Sequence, residues 1–327
     1  MEEKVLAILE ENYQQYVSGE DMAGRLFVTR ANIWKAIKKL RGRGYSIQSS
    51  PQKGYCLTEK ENYISSYLVS KFLSEKTVEE ITVLSTVDST NNFAKALAVE
   101  GKVNHLVISE EQTSGKGRRE RSFFSPSKSG LYMSVILHPT MIVEDVQLLT
   151  ICAALSVCGA LAKIYSIQAD IKWLNDVYIN GRKVCGILTE GDIEIEILRY
   201  KYIVVGIGIN TIFESKKLPE NITSIYTALS EHTNVPIDRN QLAAEVMNAF
   251  YGYYRALEQD IDNKKSIIQK YVEKSNVLGK KIIVNQDPDQ VYTALDITEQ
   301  GHLLVEDSKK EKKTLYTGDV SIKELSV

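Results

Sequence analysis

Between Met22 and Thr58 the chain carries eight cations, Arg25, Arg30, Lys35, Lys38, Lys39, Arg41, Arg43 and Lys53, and neither Asp nor Glu. The whole chain has a formal charge of only −2, so everything outside this stretch sums to −10. A segment so one-sided must turn its charge outward, because unpaired cations are too costly to bury. An acidic body with one basic end suggests a tethered nucleic-acid reader.

The pattern inside the basic end sharpens that reading. Ser18-Gly19-Glu20-Asp21 resembles a capping box that starts a short helix with Met22, Ala23 and Leu26 on one side. After Phe27-Val28, Thr29 can cap a second helix. In it Ile33, Ala36, Ile37 and Leu40 share one face, and Ala31, Trp34, Lys35 and Lys38 the other. Gly42 and Gly44 end it, Tyr45-Ser46-Ile47 reads as a strand, Ser49 to Gly54 as a turn, and Tyr55-Cys56-Leu57 as the returning strand. Helix, turn, helix, hairpin is the order of a winged helix-turn-helix. The second helix entering a groove presents Thr29, Arg30, Lys35 and Lys38 to phosphates and base edges, with Lys53 reaching a neighbouring phosphate, and Ser18, Ala31 and Trp34 complete the expected DNA-binding set. The competing reading is a small basic domain with a solvated face.

A chain of 327 residues exceeds one domain, and 43% hydrophobic with 25% charged residues is an ordinary globular balance. The predicted organisation is α+β. Residues 1–60 form the DNA module, 61–76 a linker helix centred on Asn62 to Leu73, 77–275 a mixed α/β domain, and 276–327 a small β-barrel. In the middle domain strands are predicted at Ile81–Thr86, Leu106–Ser109, Leu131–Leu137, Ala169–Leu174, Val184–Thr189, Ile193–Leu198 and Tyr202–Ile209. Helices are predicted at Asn91–Val99, Val146–Tyr165 and Leu242–Leu257. Strands following one another through short turns favour a largely antiparallel sheet. In the barrel, strands are predicted at Lys281–Val284, Gln290–Ile297, Leu303–Glu306, Lys312–Tyr316 and Val320–Ile322.

Four scattered cysteines without C-x-x-C and four scattered histidines give no resident metal site and suggest a reducing compartment. The chain opens Met1-Glu2-Glu3-Lys4 without a secretory pattern, so a cytoplasmic protein is expected. The uncharged stretch Val146 to Ala162 falls short of a membrane span and reads as a buried core helix.

Neither glycine-rich stretch is a standard nucleotide motif. Gly115-Lys116-Gly117-Arg118-Arg119-Glu120 lacks the third glycine of the dinucleotide fingerprint, and Gly206-Ile207-Gly208-Ile209-Asn210 opens no obvious helix. Lys116, Arg118, Arg119 and Arg121 nevertheless put four cations on a glycine-flexed loop suited to wrapping a polyanion. The order of blocks is then recognisable: Asp88-Ser89-Thr90-Asn91, Glu111-Gln112-Thr113, Gly115 to Arg119, Gly130-Leu131-Tyr132-Met133-Ser134, Lys172-Trp173-Leu174-Asn175-Asp176, Gly181 to Leu188, and Gly206 to Asn210. This succession resembles the biotin protein ligases. With the DNA module in front, nearly the whole chain is similar to the bacterial bifunctional biotin ligases that also repress the biotin operon.

The resemblance implies that biotin and MgATP give biotinyl-5'-adenylate and pyrophosphate. The biotin then passes to a lysine of a biotin carboxyl carrier protein, of acetyl-CoA carboxylase or a related enzyme. It also implies that residues 77–275 are the catalytic domain and that the terminal barrel is SH3-like, and it implies operator binding as a homodimer with the adenylate as corepressor. Carried onto this sequence, the biotin site comprises Ser89, Thr90, Asn91, Gln112, Lys116, Gly117, Arg118, Tyr132, Ser134, Lys183 and Gly186. The nucleotide site comprises Arg118, Arg119, Arg121, Phe123, Asn175 and Asn210, and catalysis falls to Lys183, Arg118 and Asp176, the last as base or orienter. Neutral hydroxyls and amides suit an uncharged bicyclic head, and cations suit the meeting of a carboxylate with a phosphate. Four positions depart from the family pattern: Lys116 for arginine, Glu120 as an added anion, Phe123 for a tryptophan that stacks on adenine, and Leu174 for proline. Two alternatives from other classes are a ligand-sensing repressor without catalysis and a lipoate or octanoate attachment enzyme.

Overall fold

The computed structural model describes residues 1–59, 63–74, 77–194, 196, 198–213, 218–259, 261–285 and 287–322. The chain forms two compact units, Met1–Phe72 with Asp238–Gln241, and Leu73–Ile237 with Leu242–Val327.

The first unit is a winged helix-turn-helix preceded by a helix that sequence reading passed over, α1 (Glu2–Glu11). Its Val5, Leu6, Ile8 and Leu9 join the core with Met22, Ala23, Ile33, Ile37 and Leu40. Helix α2 (Gly19–Leu26) is capped by Ser18, whose hydroxyl accepts from the Asp21 amide, and α3 (Arg30–Gly42) by Thr29, which accepts from Asn32. As periodicity required, Ile33, Ala36, Ile37 and Leu40 are the buried face of α3. The wing is shifted from its predicted position. Its strands are β1 (Ile47–Ser50) and β2 (Gly54–Leu57), because Tyr45 turns into the core and pairing begins only at Ile47 opposite Leu57. The expected linker helix is α4 (Ser66–Phe72), and the start of that prediction, 61–62, lies outside the described residues.

The second unit is built on a seven-stranded sheet. Its strands are β3 (Glu80–Leu84), β4 (His105–Ser109), β5 (Gly130–Leu137), β6 (Asp170–Lys172), β7 (Asp176–Ile179), β8 (Arg182–Glu194) and β9 (Arg199–Asn210), in the order β3-β4-β5-β9-β8-β7-β6. Only β3 and β4, joined through α5 (Thr90–Val99), pair in parallel, so the sheet is antiparallel in the main as expected. Two strand predictions are corrected. Ile193–Leu198 is no separate strand, since Ile193 and Glu194 end β8, Leu198 precedes β9, and 195 and 197 lie outside the described residues. Ala169–Leu174 narrows to β6, and β7 beyond it was not foreseen.

Helix α6 (Gln147–Tyr165) is buried along nearly its whole length, which explains an apolar run without amphipathic spacing. Thr150 on its first turn bonds Thr189 of β8 at 2.8 Å. Helices α7 (Arg239–Gln259) and α8 (Ile261–Lys274) lead to a five-stranded module, β10 (Lys281–Val284), β11 (Asp287–Ile297), β12 (Leu303–Glu306), β13 (Lys312–Leu315) and β14 (Val320–Ile322), in the order β13-β12-β11-β10-β14. The Trp173 indole donates to the Gly301 carbonyl at 2.9 Å and Gln147 to the same oxygen at 2.8 Å, which ties this barrel to the sheet.

Candidate active site and nucleic-acid interface

Strand register decides where the cavity forms. Ser134 pairs with Gly206, Tyr132 with Gly208, Gly208 with Gly186, and Gly206 with Leu188, so all these positions share one face of the sheet. Three neighbouring glycines therefore make a floor without side chains. A Cβ on Gly206 would come within 2.1 Å of the Asn91 amide oxygen, and one on Gly208 within 2.5 Å of the Phe123 ring. Over this floor lies a cavity of about 230 Å³.

One end of the cavity is polar and neutral. Ser89, Thr90, Asn91 and Gln112 all line it. Ser89 has the backbone geometry of an N-cap but makes no capping bond, so its hydroxyl is left for the cavity, while Asp88 accepts instead from Asn92 at 2.6 Å. The Gln112 carbonyl accepts from the Thr90 amide at 2.9 Å and its NH2 donates to Ser125 at 2.9 Å. Asn91 donates to Glu190 at 2.8 Å and to the Leu188 carbonyl at 3.2 Å. Glu190, absent from the sequence reading, is ion-paired with Lys95. Burial opposes its charge, yet the bonds from Lys95 and Asn91 outweigh this and hold the carboxyl below its ordinary range.

Tyr132 and Ser134, expected to line the pocket, share the sheet face of its glycine floor and touch the lining residues Thr90, Asn91 and Phe123. Ser134 donates to Asn91 at 2.6 Å and lies 2.8 Å from the Thr90 hydroxyl, and Tyr132 donates to the Pro126 carbonyl at 3.0 Å. Phe123 lies against Gly186 and Gly208 on the floor, its ring edge-on to Tyr132 at 6.4 Å.

The other end is cationic. Lys116, Gly117, Arg118, Arg119, Arg121, Lys183 and Gly186 line the cavity with Asn175, Asp176 and Asn210. Lys116 bonds Asn92 at 2.8 Å. Arg118 donates to Asn175 at 3.2 Å and to Thr317 at 2.8 Å; burial lowers its pKa and nearby Asp176 opposes that. Lys183 pairs with Asp176 at 2.7 Å, and Asn210 is fixed by donating to the Thr227 carbonyl at 3.0 Å. Behind them Lys172 is held below its ordinary pKa by burial, with Asp176 pulling the other way. Asp319, from the loop before β14, also lines the cavity and was not assigned a role by sequence.

On the first unit, Ser18, Thr29, Arg30, Ala31, Trp34, Lys35, Lys38 and Lys53 are all exposed. Ser18 and Thr29 already spend their hydroxyls on helix caps. Four of the eight cations are tied to protein: Arg25 to Asp21, Lys39 to Glu2, Arg43 to Glu2 and Glu3, and Arg41 to the Ile47 carbonyl. The other four are those predicted to meet DNA. Lys38 lies over the Trp34 ring and Lys53 over the Tyr16 ring, and among the described residues Arg30 and Lys35 have no acidic partner.

Three family models match consecutive parts of the chain: an HTH domain over residues 2–56, the biotin/lipoate A/B protein ligase family over 83–210, and a biotin protein ligase C-terminal domain over 277–323. The bifunctional ligase/repressor BirA of Bacillus spizizenii is 30% identical over 315 residues, 94% of each chain. That of Escherichia coli K12 is 27% identical and covers 93% of this chain and 91% of its own. A solved biotin protein ligase from Aquifex aeolicus in complex with biotin and ATP aligns with a TM-score of 0.64 at 28% identity, across 76% of this chain and 100% of that one. A DNA-reading module, a ligase sheet with a half-neutral, half-cationic cavity, and a terminal barrel thus occur here in the order of those relatives, and the chain belongs to the bifunctional ligase/repressor family.

Proposed function

We propose that this chain joins biotin to ATP as biotinyl-5'-adenylate, transfers the biotin to a lysine of a biotin carboxyl carrier protein, and represses biotin genes as an operator-binding homodimer with the adenylate as corepressor. The observation that carries the reading is the division of one cavity. A neutral wall of Ser89, Thr90, Asn91 and Gln112 faces a cationic wall of Lys116, Arg118, Arg119, Arg121 and Lys183 over a floor of glycines. The neutral end suits the ureido head. The cationic end suits the place where a biotin carboxylate and the α-phosphate, both anions, must come together.

In the first step a carboxylate oxygen of biotin bonds to the α-phosphorus as the bond to pyrophosphate breaks. Charge grows on the phosphate oxygens, and Lys183 and Arg118 neutralise it. Magnesium enters as part of MgATP. In the second step the carrier's lysine, as free amine, attacks the biotinyl carbonyl and AMP leaves. Asp176 holds Lys183 against the reacting oxygens and is the carboxylate placed to receive a proton from that amine. Arg119, Arg121, Phe123, Asn175 and Asn210 hold the nucleotide. Free, buried Cys56, Cys152, Cys158 and Cys185 agree with a cytoplasmic protein.

Labelled biotin, MgATP and a carrier domain should give pyrophosphate and labelled carrier, and the same preparation should bind operator more tightly with adenylate present. Operator binding without pyrophosphate release would leave only a sensor, and preference for lipoate in competition would move the chain to the attachment enzymes of that acid. Arg118→Gly should release the adenylate faster.

A further inference from the structure

The cationic loop is a tight hairpin. Lys116 bridges to Ser122, the Gly117 amide donates to the Arg121 carbonyl at 2.6 Å, and the Arg121 amide to the Arg118 carbonyl at 3.2 Å. The two residues at its tip, Arg119 and Glu120, have φ of 53° and 60°, the left-handed pair that a two-residue hairpin turn demands and that glycine or asparagine normally supplies. Neither residue favours that conformation, so contacts from outside the hairpin that hold it there add to its stability.

The holding groups come from the terminal barrel. Arg118 donates to Thr317, Arg119 donates to the side-chain Oδ1 of Asn285, and Arg121 pairs with Asp319 at 2.7 Å. Asn285 and Asp319 are themselves locked together: the Asn285 amide donates to the Asp319 carbonyl at 2.7 Å, and the Asp319 amide to the Asn285 side chain at 3.3 Å. Three arginines of one loop thus meet three acceptors on one end of the barrel. Both parts belong to the second compact unit.

We propose that the terminal barrel is a latch for the cationic loop, with Asn285 and Asp319 as positioning residues that keep the strained hairpin over the cavity and so set how long the acyl-adenylate is retained. They act through Arg119 and Arg121. The retention part rests on the ligase reading above; the hairpin's attachment does not.

Asp319→Asn and Asn285→Ala test the latch by two readouts on the full chain. Limited trypsin digestion of the ligand-free protein should cut at Arg118, Arg119 or Arg121 several-fold faster in both variants. Release of preformed biotinyl-5'-adenylate should accelerate roughly tenfold, about the worth of one charge-assisted hydrogen bond, with release of biotin alone changing much less. Asp319→Glu should restore both. Trp173, whose indole reports the seating of the barrel through Gly301, shows by its melting whether either variant has merely lost the barrel, and the other variant then decides. Wild-type trypsin sensitivity and wild-type adenylate release in both variants would overturn the latch. Failure of the unaltered chain to form adenylate would instead overturn the ligase reading, with the trypsin arm still deciding the attachment.

Discussion

The two cationic regions of this molecule are built on opposite plans. On the first unit Arg30, Lys35, Lys38 and Lys53 point outward with no acidic partner among the described residues, and the cations that do pair lie elsewhere on the unit. In the second unit each cation of the cavity is held by a protein acceptor: Lys116 by Asn92, Arg118 by Asn175 and Thr317, Arg119 by Asn285, Arg121 by Asp319 and Lys183 by Asp176. A surface that meets a polyanion by sliding and docking needs charge kept free. A site that must neutralise charge at one moment of a reaction needs its cations aimed beforehand, at the cost of exchanging partners when substrate arrives.

Substituting on each side should separate the plans. Lys183→Ala is expected to lower pyrophosphate formation by about 10²–10³, the loss typical of one preorganised group facing a developing oxyanion, with binding of ligand-free protein to DNA unchanged. A residual rate close to wild type would show that Lys183 is no more than a partner for Asp176. Arg30→Ala and Lys35→Ala should each weaken operator binding by roughly tenfold or somewhat more, and a lost phosphate contact should reduce the slope of log affinity against log salt by about 1. Pyrophosphate release should stay put. A change in catalysis from either variant would break the separation.

The same contrast governs what could be read from sequence. The helix faces of α2 and α3 and both caps follow from spacing within a dozen residues, and the exposed cations follow from the buried face opposite them. Helix α1 has comparable apolar spacing in Val5, Leu6, Ile8 and Leu9 and was legible in principle. The cavity was legible residue by residue only through family resemblance, because its walls meet through register. Glu190 looks like a turn residue beside Gly191 and Asp192, and only when β8 runs on opposite β9, pairing Glu190 with Val204, does its carboxylate reach Asn91 from ninety-nine residues away. Tyr132 and Ser134 alternate correctly on their strand, but alternation cannot say that Ser134 is covered by Thr90 and Asn91. Nor could local pattern find Asn285, which meets Arg119 across 166 positions.

Acid should also distinguish the units. All four histidines, His105, His138, His232 and His302, lie in the second unit, and burial holds each below its ordinary pKa, against the opposing pull of Glu80 at His105 and Glu231 at His232. For a group depressed in the folded state the unfolded chain takes up protons first, so stability is lost as pH falls below the ordinary histidine value of about 6.5. The first unit has no histidine; its Glu2, lowered chiefly by the hydrogen bond from Lys39, yields only in the carboxylate range. Each unit holds one tryptophan, exposed Trp34 and buried Trp173. In a Trp34→Phe protein the melting followed by Trp173 should therefore move to lower temperature between about pH 7.5 and about 5.5. A pH-independent melt over that span would mean the histidines are balanced by groups that gain from acid.

The smallest effect concerns strain, which both regions carry. Phe27, at the turn between α2 and α3, has φ 54° and is 95% exposed, so its ring contributes almost no burial to offset a left-handed backbone. That conformation costs a residue with a Cβ roughly 1–2 kcal/mol, and glycine's greater freedom in the unfolded chain takes back about 0.5–1 kcal/mol. Phe27→Gly should thus raise the stability of the first unit by about 0.5 kcal/mol, seen as a small upward shift in its melt. Glu120→Gly makes the same change at the tip of the cationic hairpin, where φ is 60°. There the neighbouring contacts of Arg119 and Arg121 with the barrel already hold the tip, so relief of strain should appear as slower tryptic cutting of the loop, not as a shift in the melt of the whole unit. Equal melt shifts from the two substitutions would mean that strain in the hairpin is borne by the fold at large, and that the two cationic regions differ in their partners but not in how their backbones are held.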